Sequence, residues 1–138
     1  MKRIAACLVG FVLLAIAATA WAQRTDMIYS GTSPLVYKFA RINCSADDCP
    51  VVDAVPTMKI RVIAAAWNVS GDTTMHWETG ATDTFLSGPW NLGGAGEARG
   101  AVLPFALSGH FETAAGAALT IDGAAVTTGG HVVYIELQ

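Results

Sequence analysis

The chain has 138 residues, of which 53% are hydrophobic and 14% charged, with eight Lys and Arg against eleven Asp and Glu. An acidic balance without a basic cluster excludes nucleic acid as a partner, because phosphate binding needs grouped Lys or Arg to release condensed counterions. The length allows one domain of ordinary size and excludes two.

The first 22 residues stand apart. Lys2 and Arg3 are followed by "IAACLVGFVLLAIAATAWA", which carries no charge and closes on Ala20-Trp21-Ala22. A basic start, an apolar middle and small residues around the cut define a secretory signal peptide. Residues 1–22 are therefore predicted to be a signal helix cleaved between Ala22 and Gln23. The product, residues 23–138, is expected to be secreted, periplasmic or displayed on a cell surface. The alternative is a retained anchor, since a span needs about 18 apolar residues, and membrane contact is expected only through this segment. A lipid anchor on Cys7 is disfavoured because no apolar segment precedes "IAAC".

Cys44 and Cys49 remain, in "CSADDC". A close, even pair in an exported chain reads as a local disulfide. The competing reading is metal capture by the two thiolates with Asp47 and Asp48, against which stands the lack of neighbouring Cys or His for a tetrahedral set. Asn43-Cys44-Ser45 and Asn68-Val69-Ser70 fit the glycosylation acceptor pattern, relevant only in a eukaryotic secretory route.

Period-two segments fill the rest. "PLVYKF" (34–39) comes first. In "PTMKIRVIAAAWNV", Met58, Ile60 and Val62 alternate with Lys59 and Arg61, as a strand covering a core on one side requires. "TTMHWET" (73–79), "GAVLPFAL" (100–107), "ALTID" (118–122), "AAVTT" (124–128) and the terminal "HVVYIELQ" follow. Turn signals separate them, among them Ser70-Gly71-Asp72, Ser87-Gly88-Pro89, Ser108-Gly109 and Gly129-Gly130. Short strands at this spacing predict an all-β fold, a single antiparallel β-sandwich of jelly-roll-like kind over residues 23–138. Helix support is slight, limited to one turn near Ala114 to Ala117, and "GGAGEARG" (93–100) reads as a loop. Trp90, Phe105 and Phe111 are expected to supply large buried areas between small Gly and Ala residues.

The polar residues give two candidate pairs, His76 with Glu78 and His110 with Glu112. Residues two apart on a strand share a face, so on neighbouring strands two imidazoles and two carboxylates would converge as a metal or proton-transfer site. The competing reading makes them solvent-facing residues opposite a buried Trp77 and Phe111. Ser70, Ser87 and Ser108 lie in turns and not in a nucleophile elbow, and "GGAGEARG" lacks the strand, helix and lysine of a phosphate cradle. No enzyme activity, metal or cofactor is expected. Trp67, Trp77 and Trp90 are the candidates for a sugar-stacking platform, which would make the protein a carbohydrate-binding module with a glycan as its partner.

Ser87-Gly88-Pro89, Leu103-Pro104-Phe105, Phe111-Glu112-Thr113, Gly116 with Ala118-Leu119, and Gly130 with Tyr134 occur in a fixed order in the C-terminal half. This order resembles a β-rich segment of tailed-bacteriophage structural and decoration-like proteins. The resemblance implies a sandwich used for structure or attachment, often in multiple copies, and a virion location. The signal segment and the "CSADDC" loop depart from it, because virion proteins assemble in a reducing cytoplasm. An Ala- and Gly-rich chain with few charges is also expected to cover its patches or strand edges by forming a homo-oligomer or larger assembly.

Overall fold

Alternating polarity is realised as extended backbone throughout a computed structural model that describes residues 29–30, 33–80, 83–94, 99–123 and 126–138. The expected signal segment lies outside the described residues. β1 (Tyr29–Ser30) and β2 (Ser33–Pro34) pair antiparallel within a unit that ends at Pro34.

Leu35–Gln138 form the second unit. Its strands are β3 (Lys38–Cys44), β4 (Cys49–Val52), β5 (Lys59–Val69), β6 (Thr73–Thr79), β7 (Trp90–Leu92), β8 (Gly100–Leu103), β9 (Phe111–Glu112), β10 (Leu119–Gly123) and β11 (Thr128–Leu137). They make two antiparallel sheets, ordered β4-β10-β6-β7 and β3-β11-β5-β8, with β9 also pairing β5. The fold is all-β, and no helix occurs among the described residues.

The two inner faces pack together through Ile42, Val62, Trp67 and Val132 from one sheet and Met75, Trp77, Leu119 and Ile121 from the other. Trp67 stands between Trp77 and Trp90, its ring centroid 5.5 and 5.2 Å from theirs, both nearly perpendicular. Such edge-to-face contacts add about 0.5–1.5 kcal/mol each to area burial. β5 keeps strict alternation except at Ile63, the extra residue of a β-bulge opposite Val133/Tyr134. The bulge shifts the phase of the strand, so Ile60 and Val62 face inward before it, and Ala65, Trp67 and Val69 after it. Gly130 lies opposite Trp67 in the same pairing, where an added Cβ would overlap the Ala66 carbonyl oxygen.

Several expectations are corrected. The first sandwich strand starts at Lys38 and runs to Cys44, not over 34–39. β8 ends at Leu103, since Pro104 has no N–H to continue the ladder. Residues 114–117 form a turn, Ala117 N–H bonded to Ala114 O at 3.2 Å, with Gly116 at φ 74°. Phe105 is 59% exposed and meets Tyr37 edge-on at 5.7 Å. "CPVV" was not expected as a strand; its Pro50 is tolerated because β4 is an edge. Residues 124–125 of the expected strand at 124–128, and 95–98 of the Gly-rich loop, lie outside the described residues.

Candidate functional site

β6 and β10 run side by side with Glu78 opposite Thr120 and His76 opposite Asp122. Because Met75, Trp77, Leu119 and Ile121 face the core, these four polar residues share the outer face of the four-stranded sheet. An ordinary outer face would be wet, but this one is covered. After β6 the chain turns back and Phe85 makes a β-bridge with Glu78, while the Phe85 ring stacks on His76 at 4.2 Å. Glu78 is 0% exposed, and among the described residues neither carboxylate oxygen meets an N–H donor, its hydrogen-bonding neighbour being the acid Asp48.

The "CSADDC" turn lies at the same place. Cys44 ends β3 in one sheet and Cys49 begins β4 in the other; the Cys44–Cys49 disulfide, Cα atoms 5.8 Å apart, staples the corner where the chain changes sheets. Asp47 Oδ1 accepts the Gly123 N–H at 3.1 Å, docking the turn against the end of β10. Both thiols are consumed by the bond, so the thiolate metal reading of this loop is set aside.

Acidic groups therefore converge. Glu78, Asp83 and Asp122 each place a carboxylate oxygen within 4.8 Å of the others. Burial first, then the negative charges of Asp122, Asp48 and Asp83, push the Glu78 carboxyl up to about 7. A hydrogen bond shared with Asp47 holds Asp122 above the usual carboxylate range, and burial adds to this. The same bond, with the Gly123 N–H, holds Asp47 below it. His76 Nδ1 lies 3.6 Å from Asp122 Oδ2.

The structure does not bring the two His/Glu pairs together. Trp77 and Phe111 meet across the core at 5.8 Å, so the outward residues beside them point away from each other on opposite faces. His110 is exposed, its Nε2 2.7 Å from Pro104 O. Glu112 accepts from Arg61 Nε and Nη2 at 2.8 and 2.7 Å. Glu78 was expected to face solvent or a neighbouring strand's histidine, and instead is buried among acids.

Trp67 and Trp77 are buried and Trp90 is half-buried, so the three form the aromatic centre of the sandwich and not an exposed platform. Ser87 organises the adjoining turn: its Oγ accepts from Trp77 N–H at 3.1 Å and from Trp90 Nε1 at 3.2 Å. Asp83 and Asp122 escaped sequence reasoning. They sit in a turn and at a strand end, where acidic residues are common, and only tertiary pairing gathers them. No protein-family model, curated protein or solved structure matches this chain.

Proposed function

We propose that the protein is an exported, non-catalytic β-sandwich that acts through its surface as a structural or assembly module. The chain changes sheets at most of its connections, β6 to β7 and β8 to β9 excepted, which supports a jelly-roll connection. β3 and β11, first and last, are paired, as are β4 and β10, second and next to last. The stapled "CSADDC" corner suits an oxidising compartment reached through the N-terminal segment, and the C-terminal likeness to phage structural proteins fits the same use.

One observation carries the reading. Val36, Tyr37 and Phe39 in one stretch and Phe105 and Leu107 in another all present large apolar side chains to solvent, Phe39 with 75% of its surface exposed. The Tyr37–Phe105 ring contact joins the two stretches. The Ala106 N–H bonded to Ile63 O at 2.9 Å lays the second stretch along β5. An exposed apolar group of this size on a small domain marks a contact surface.

Light scattering of the purified protein is expected to give a multimer that Phe39→Glu with Phe105→Glu converts to a folded monomer, because both side chains already lie in water in the single chain. A wild-type monomer at high concentration would refute the assembly reading.

A further inference from the structure

The acids on the outer face of the four-stranded sheet come from separate parts of the chain: Glu78 from β6, Asp122 from β10 and Asp83 from the return after β6. Two oxygens held by one calcium ion at about 2.3–2.6 Å can be at most about 5 Å apart. The three carboxylates, with oxygens all within 4.8 Å, span one such coordination sphere without any strand moving.

Burial of Glu78 is a second observation, independent of the spacing. Its carboxylate points into the group, is wholly removed from solvent and, among the described residues, meets no N–H donor on either oxygen, its hydrogen-bonding neighbour being another acid, Asp48. A buried carboxylate beside two others is unfavourable unless positive charge or donors compensate it. Among the described residues, the one basic side chain in ion-pair contact with the three is His76, through Asp122. Arg61, Lys38 and Arg99 are paired elsewhere.

We propose that Glu78, Asp83 and Asp122 bind a hard divalent cation, calcium, which braces the return after β6 to β6 and β10. The three grouped donors are carboxylates, with one histidine nitrogen, His76 Nδ1, beside Asp122; zinc prefers sites dominated by Cys and His, and the two cysteines among the described residues are joined to each other. Three carboxylates supply three to six oxygens. Asp83 is exposed and Asp122 half-buried, so one side stays open for the waters that complete the six to eight ligands calcium takes. Magnesium, which needs near-ideal octahedral geometry at shorter distances, fits a sheet-mounted set of this kind less well. The site extends the assembly reading and does not depend on it.

The test uses protein expressed from the full-length gene, stripped with chelator and followed by thermal unfolding and titration calorimetry at constant ionic strength. Calcium at 10 mM is expected to raise Tm by about 10 °C, the shift for a Kd of about 10⁻⁴ M in a domain of this size. Asp83→Asn, at an exposed position that leaves folding intact, is expected to weaken binding by at least about tenfold. Asp122→Asn and Glu78→Gln are expected to abolish the response, while Asp72→Asn, at the other end of β6, leaves it unchanged. No calcium-dependent shift in the wild type, or an equal shift in Asp83→Asn, would overturn the site. A magnesium response as large as calcium's would overturn the assignment of the ion.

Discussion

Replacing Glu78 by Gln keeps the shape of a buried side chain and removes its charge. In the folded chain the Glu78 carboxyl is pushed up to about 7 from the ordinary 4.5, first by burial and then by the charges of Asp122, Asp48 and Asp83. Between those two values the native state holds a proton that the unfolded state has released. Stability therefore falls as pH rises through this window and levels off above about 7. At about 1.4 kcal/mol per pH unit, the gap amounts to about 3 kcal/mol of destabilisation above neutrality. The glutamine amide does not titrate, so in chelator-treated samples the variant is expected to be more stable than wild type at pH 8 by about that amount. The difference shrinks toward pH 4.5. For a domain near 100 residues, each kcal/mol moves Tm by about 4–8 °C, so the gap at pH 8 exceeds about 10 °C. Urea unfolding at pH 5 and pH 8 measures it directly, with m unchanged between the two proteins. A difference that is the same at both pH values, or a Gln variant less stable at pH 8, would refute the claim that Glu78 is an uncompensated buried acid.

Three further outcomes follow from packing. Gly130→Ala places a Cβ against the Ala66 carbonyl oxygen and 2.7 Å from Trp67 Cα, at a backbone φ of 154°; the β11–β5 pairing must open, and a loss of about 3 kcal/mol in urea unfolding is expected. Cys44→Ser with Cys49→Ser removes a bridge closing a very short loop, for an expected cost of about 2 kcal/mol, matched by adding reductant to the wild type. Trp90→Ala deletes one arm of the three-tryptophan cluster and the Nε1 bond to Ser87, so a loss of about 3 kcal/mol in thermal or denaturant unfolding is expected. A Trp90→Ala protein as stable as wild type would show that the ring contributes nothing to the core.

Local pattern made much of the fold legible. Period-two polarity in "MKIRVI" and "TTMHWET" assigns one face to the core and the other to the outside, and Gly-bearing turns mark where several strands stop; both are properties of a few adjacent residues. The Cys44–Cys49 bridge is equally local. Pairing between distant segments was not legible. The pattern places His76 and Glu78 opposite Trp77, yet says nothing about what lies over that face, where Phe85 bridges to Glu78, Asp48 lies beside it, and Glu78 is a buried acid and not a surface one. Phe105 carries every mark of a core residue, but Pro104 ends β8 one position earlier and the ring comes to rest against Tyr37 in water.

Sequence alone determined the class of structure, strands of alternating polarity closed by turns and one stapled corner, because strand formation depends on neighbours in the chain. The tertiary structure alone decided that Glu78, Asp83 and Asp122 share one site and that three tryptophans make one core. Side chains as distant in the chain as Glu78 and Asp122, or Trp67 and Trp90, are brought within reach only when sheet order and register are set. Those depend on how the two inner faces fit against each other.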